Sequence, residues 1–186
     1  MRTVDEKKVV AIKNAVLDLV ADDGLTNLTT AKVAKRAGVS PATIYVYYSG
    51  KVDMLSRIYE EEKAFLHDGL AETVAKQSTL DAKIAAAVRF SVGRYQKNPR
   101  EARFVNALWS NREQLDEKAV HAGLETAGPL LNLYEQISTA NDYVDAPKES
   151  IAAFFTVPVL ILADDPTLGG AKLDQVCAMV VRALKK

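Results

Sequence analysis

Gly38 and Pro41 stand three residues apart, and little but two abutting short helices can be threaded through them. Glycine ends a helix because it enters the left-handed region without a Cβ clash, and proline opens one because the first-turn N–H it lacks has no intrahelical partner anyway. Ahead of Gly38, Leu28-Thr29-Thr30 offers an apolar residue and a hydroxyl cap, and Val33, Ala34 and Ala37 recur at helical spacing. Behind it, Ser40 is a capping residue and Pro41 a first-turn residue. One short helix is followed almost at once by another.

Helical periodicity governs the remainder. Val9, Ile12, Val16, Leu19 and Val20 recur at three- and four-residue steps before the stop at Gly24. A longer helix is predicted from Lys51 to about Lys76, with Val52, Leu55, Ile58, Tyr59, Phe65, Leu66 and Leu70 as its apolar stripe. Ser78-x-x-Asp81 has a capping-box pattern before a helix from Leu80 to Gln96, and Asn98-Pro99 breaks the chain ahead of Arg100 to Ser110. Ser110-x-x-Glu113 is a second candidate cap. The next helix, about Leu115 to Thr139, should be kinked by Gly123 and by Gly128-Pro129. A polar loop over Asn141 to Ala146 leads to two last helices, Pro147 to Asp164 and Leu173 to Lys185. With no strand alternation anywhere, the chain reads as all-α, with about nine helices.

At 186 residues, 48% of them hydrophobic, the chain can bury a good-sized core without covalent staples. Its single cysteine, Cys177, excludes an internal disulfide, and no charged segment leading into an apolar one opens the sequence, so a cytoplasmic protein is expected. The longest apolar run, Ile151 to Ala163, carries Pro158 and is well short of the roughly 20 residues of a membrane span. It reads as buried, and no membrane partner is expected.

Lysine plus arginine and aspartate plus glutamate each number 24, for a net charge of zero. That balance would argue against nucleic acid, whose binding is driven by basic surface and counterion release. The balance is not local. From Gly24 to Val52 the chain carries Lys32, Lys35, Arg36 and Lys51 and no acid at all.

At a hundred degrees per residue, the helix begun at Ser40 puts Ile44 and Tyr48 on one side, free to pack on Val33, Ala34 and Ala37. Ala42, Thr43, Val46 and Tyr47 fall on another. A small residue, a hydroxyl, a branched aliphatic and a phenol suit a DNA major groove better than they suit water. Thr43 can bond base edges or touch a thymine methyl, Val46 can pack on methyls, and Tyr45 and Tyr47 can donate to phosphate oxygens. Lys51 lies in the first turn of its helix, where the dipole disfavours a cation; a phosphate there would remove the conflict and meet both the ammonium and the free backbone N–H groups.

Ala34-Lys35-Arg36-Ala37-Gly38-Val39-Ser40, then Thr43-Ile44-Tyr45-x-Tyr47-Tyr48, then Lys51 and Leu55 closely resemble the DNA-binding domain of TetR-type repressors, from about Lys8 to Leu55 without a gap. The resemblance implies a helix-turn-helix domain over residues 1–50 and an effector-binding, dimerising helical bundle over residues 51–186. It further implies that Thr43 and Tyr45 contact bases or backbone, that Tyr47 and Lys51 contact phosphates, and that Thr29 or Thr30 anchors the start of the second helix. Ser40, Pro41, Ala42 and Val46 complete the expected DNA-binding set. Val46 departs from the polar or aromatic residue often found at its position, and Tyr48 replaces a common phenylalanine.

The expected partners are double-stranded operator DNA, a small-molecule effector and a second copy of the chain. Phe90, Tyr95, Phe104, Leu108, Trp109 and Tyr134 are candidate walls of an effector pocket, with Arg94, Arg103 and Asn106 as polar anchors. The Ile151 to Ala163 and Val176 to Leu184 helices are candidates for pairing across a two-fold axis. No catalytic or metal site is expected, and no cofactor. His67 and His121 lack helical ligand partners, and Asp22-Asp23 and Asp164-Asp165 sit where helices end. The alternative reading is a helical small-molecule-binding enzyme or a protein-interaction module without DNA binding.

Overall fold

The computed structural model describes residues 5–186, without the side chains of 163 and 164. Among the described residues it is all helical, with eleven α-helices and one 3-10 turn. The helices are α1 (Glu6–Asp23), α2 (Thr30–Ala37), α3 (Pro41–Tyr47), α4 (Lys51–His67), α5 (Leu70–Ala75), α6 (Leu80–Lys97), α7 (Pro99–Ser110), α8 (Glu117–Thr126), α9 (Gly128–Thr139), α10 (Lys148–Asp164) and α11 (Gly170–Ala183), with the 3-10 turn at Arg112–Gln114. An isolated bridge between Tyr143 and Lys185 is the nearest thing to sheet.

The two helices beyond the expected nine come from breaks that periodicity hides. The helix predicted from Lys51 to Lys76 ends at His67, because Gly69 takes the left-handed conformation at φ 84. The Leu115 to Thr139 helix is divided at Ala127, immediately before Gly128-Pro129. Gly123, expected to kink it, lies inside an unbroken α8. A Cβ at Gly123 would stand 2.7 Å from the Tyr59 hydroxyl, so this glycine serves a close approach.

Two caps also sit elsewhere than predicted. Thr79, not Ser78, caps α6, its Oγ1 accepting from the Ala82 N–H at 3.2 Å. Asp116, not Ser110, caps α8, its Oδ1 accepting from the Ala119 N–H at 2.8 Å.

The described residues pack as two compact units, one within residues 1–65 and 99–124, the other within residues 66–98 and 125–186. In the first unit α1 packs on α2 and α7, burying Ile12, Val16, Leu17 and Leu19 with Val33, Ala34 and Phe104. Arg100, in the first turn of α7, reaches α1 at Asp18 (2.8 Å) and Asn14 (3.1 Å). In the second unit α6 packs against α5, α9, α10 and α11 around Ile84, Val88, Ile137, Ile151 and Val180. Cys177 is buried there. Among the described residues no helix is long and apolar enough to cross a membrane.

Candidate nucleic-acid interface

The α2–α3 segment is built by side chains that satisfy the open ends of its helices. Thr29 caps α2, its Oγ1 accepting from the Lys32 N–H at 3.2 Å. At the other end Gly38, at φ 68, returns its own N–H to the Lys35 carbonyl, and Val39 donates to Ala34 at 3.0 Å. Ser40 caps α3 by accepting from the Thr43 N–H at 3.2 Å, with Pro41 in the first turn. Each such cap contributes about 1 kcal/mol.

Those caps set the rotation of α3. Ile44 and Tyr48 are buried, as are Val33 and Ala34 on α2, and the two helices pack together. The opposite side of α3 presents Pro41, Ala42, Tyr45 and Val46, all exposed, with Thr43 and Tyr47 half-buried. Tyr45 and Val46 are 59% and 51% exposed, an unusual state for a phenol and a branched aliphatic on a seven-residue helix. Hydroxyls surround them. Thr43 Oγ1 shares a 2.9 Å hydrogen bond with Ser40 Oγ, and Thr30 Oγ1 lies 3.4 Å from the Tyr45 hydroxyl.

Charge at this surface is unevenly committed. Arg36 pairs with Asp22 at 3.1 Å, which returns an acid to the acid-free stretch from outside it. Lys32 and Lys35 are exposed, and Lys51 is half-buried at the start of α4. Asp53, one residue past that stretch, shares the first turn of α4 with Lys51 and accepts the Ser49 N–H at 2.8 Å.

Sequence reasoning missed Arg57. From α4 its guanidinium donates to the Tyr47 carbonyl at 2.7 Å, closing the C-terminal end of α3, and lies 4.8 Å from the centre of the Tyr48 ring. A cation at a helix C-terminus is favoured by the dipole and by the open carbonyls. Only the apolar stripe of α4, which fixes which side Arg57 occupies, could have hinted at it.

The expected effector residues divide between the units. Phe104, Leu108 and Trp109 belong to the first, and Phe90, Arg94, Tyr95 and Tyr134 to the second. Phe104 and Leu108 have no exposed surface. Tyr134 packs against Phe155 with ring centres 4.9 Å apart and the rings tilted by 56°, and burial pushes the Tyr95 phenol up to about 12. Arg94 donates to the Asp68 carbonyl at 2.9 Å and lies 5.7 Å from the Phe90 ring centre. A groove of about 470 Å³ in the second unit is lined by Asp81, Arg89, Asp174, Cys177 and Lys185 among others, and by none of those seven residues. Among the described residues no cluster of His, Cys, Asp and Glu could hold a metal ion. Asp165 serves its own loop, accepting from the Thr167 N–H at 3.0 Å; the Asp164 side chain lies outside the described residues.

Residues 12–58 match the family described as bacterial regulatory proteins, tetR family. The chain is 28% identical over 81 residues to the fatty acid metabolism regulator protein of Bacillus subtilis, covering 44% of this chain and 42% of that one. It is 24% identical over 119 residues to the nucleoid occlusion factor SlmA of Pasteurella multocida, covering 63% and 60%. The chain thus spans less than two thirds of either relative's length. A TetR family transcription regulator from Marinobacter aquaeolei superposes with a TM-score of 0.81 over 100% of both chains at 21% identity, which shows the fold. The match to the tetR family model thus falls across the capped α2–α3 pair, and the fold of a TetR family transcription regulator is repeated from end to end.

Proposed function

We propose that this protein is a ligand-responsive transcriptional repressor of the cytoplasm, binding a near-palindromic operator as a homodimer and released by a small-molecule effector. The observation that carries the reading is the outward face of α3, where Tyr45 and Val46 stand exposed among the hydroxyls of Thr30, Ser40 and Thr43. Such a face can meet base edges, thymine methyls and phosphate oxygens together. In this reading Thr43, Val46 and Ala42 enter the major groove, Tyr45, Tyr47 and Lys51 meet the backbone, and Thr29, Thr30, Ser40 and Pro41 set the angle of entry. Half-sites for such a dimer lie roughly 34 Å apart or a multiple of it.

Dimerisation is supported by the outer faces of α10 and α11. Phe154, Val157, Leu160 and Met179 are exposed there, while Ile151, Phe155, Cys177 and Val180 turn inward. The effector would act through its preference for one spacing of the recognition helices over another. Residues 1–50 would then read DNA and residues 51–186 would receive the effector and the partner copy.

Binding to random duplex DNA at two salt concentrations tests the first step. Weak binding that falls steeply with salt is expected, and salt-independent behaviour would refute it. Selection of bound fragments from random DNA then tests the palindrome. The matched segment of the SlmA relative extends to 119 residues, and this favours a second reading, a DNA-bound factor acting in nucleoid occlusion. Mapping bound sites along the chromosome separates the two: few sites at promoters for a repressor, many dispersed sites for an occlusion factor.

A further inference from the structure

A buried charge without a counter-charge is expensive to maintain, so it points to a ligand or a strong structural reason. Along α4, Ser56, Tyr59 and Lys63 follow one another at steps of three and four, which puts them on one face. All three are buried. Two are accounted for: Ser56 Oγ accepts the Asp116 N–H at 2.9 Å, and the Tyr59 phenol occupies the space beside Gly123.

Lys63 has no such account. The residue is 7% exposed. Among the described residues no carboxylate pairs with it, and its neighbour Glu62, also buried, turns instead to Lys13 at 3.1 Å. What faces the ammonium is the Trp109 ring of α7, with Nζ 5.1 Å from the ring centre. The exposed Arg112 addresses the same ring at 4.7 Å. A ring face offsets only part of an ammonium's lost hydration. Burial pushes Lys63 down to about 8, which still leaves it largely protonated at neutral pH.

We propose that Lys63 anchors the anionic head of a small organic ligand, with Trp109 as the wall against which the ligand body lies and Arg112 as a second cation on that wall. One buried donor group beside an aromatic ring suits a single carboxylate on an apolar body. A multiply charged phosphate would call for several donors. The inference rests on the effector-responsive reading above and gives that effector a chemical class.

Trp109 is the only tryptophan in the chain, so its fluorescence reports this site alone. The full-length protein is titrated with the sodium salts of straight-chain carboxylates from acetate to hexanoate at constant ionic strength, and with the matching neutral amides. A saturable change with the carboxylates is expected, at least tenfold weaker with the amides. Lys63→Met should abolish the response and raise Tm, because the uncompensated charge is gone, while Lys63→Arg should keep binding within severalfold. The amide comparison needs no variant and stands even if a substitution fails to fold. Equal response to amides, no response to any carboxylate, or a Lys63→Met protein that loses stability would each overturn the site. DNA retention measured in the same samples separates the two readings. Carboxylate binding without any change in DNA affinity supports the site and removes its role as release switch, whereas failure to bind DNA bears only on the regulator reading.

Discussion

Both compact units leave large apolar side chains in water, but the company these keep differs. On α3, Tyr45 and Val46 stand beside the hydroxyls of Thr30, Ser40 and Thr43, with Lys32, Lys35 and Lys51 on the flanking helices. On α10 and α11, Val157, Leu160 and Met179 are about as exposed, yet the residues flanking them in sequence, Thr156, Pro158, Val159, Ile161, Ala178 and Val180, are apolar but for one. Even Thr156 turns its hydroxyl back to the Ala152 carbonyl at 3.2 Å. The first surface can satisfy polar and apolar groups of a partner together, as a groove edge requires. The second can be satisfied only by another apolar surface. Equal exposure thus points to two kinds of partner, and the polar groups alongside tell them apart.

The comparison breaks most decisively at Leu160. Leu160→Glu places a charge on the exposed aliphatic face, so light scattering should show a monomer where the proposed function expects a wild-type dimer. Operator affinity should fall by about 10²-fold or more, because two linked half-site contacts lose their effective concentration. A Leu160→Glu protein that stays dimeric would mean that this face has another use. Next in size is Thr43→Ala, expected to cost about 1–3 kcal/mol of operator binding and to relax preference at one base step. Equal loss on operator and random DNA would show that Thr43 reads no sequence.

What was legible beforehand follows the range of the forces involved. The α2–α3 pair could be read residue by residue, since capping by Thr29 and Ser40, the left-handed Gly38 and the inward side of Ile44 and Tyr48 depend on neighbours within four positions. Of the side of α3 that the helical wheel turns outward, Ala42 and Val46 are exposed, whereas Thr43 and Tyr47 are half-buried and Tyr45 is the exposed phenol. Gly69 was hidden because the apolar stripe resumes at Leu70 as though the helix continued. Ser78 and Thr79 are both capping residues, and only the path of the backbone chooses between them. Gly123 and Arg57 were beyond local reasoning altogether. One makes room for Tyr59 and the other closes α3, and each role depends on a residue brought near by tertiary packing. The same limit hid the return of residues 99–124 to the first unit.

Smaller effects sharpen the difference between holding a surface in place and using it. Ser40→Ala removes the α3 cap and should cost about 1 kcal/mol of folding stability, read as a lower denaturant midpoint at unchanged slope. Its operator affinity should fall with the base preference intact, because the helix loosens without losing a reading group.

Lys51→Ala should do the reverse. Asp53 in the same turn of α4 already complements the helix dipole and holds the Ser49 N–H, so stability should hardly change. The lost ammonium should show only in binding, as a modest weakening on every sequence alike and a salt slope lower by about one per subunit. Measuring the slope for Lys51→Ala and Thr43→Ala side by side separates a phosphate contact from a base contact on one helix-turn-helix. A Lys51→Ala slope equal to the wild type's would remove Lys51 from the DNA backbone and leave it as a lysine that Asp53 keeps at ease.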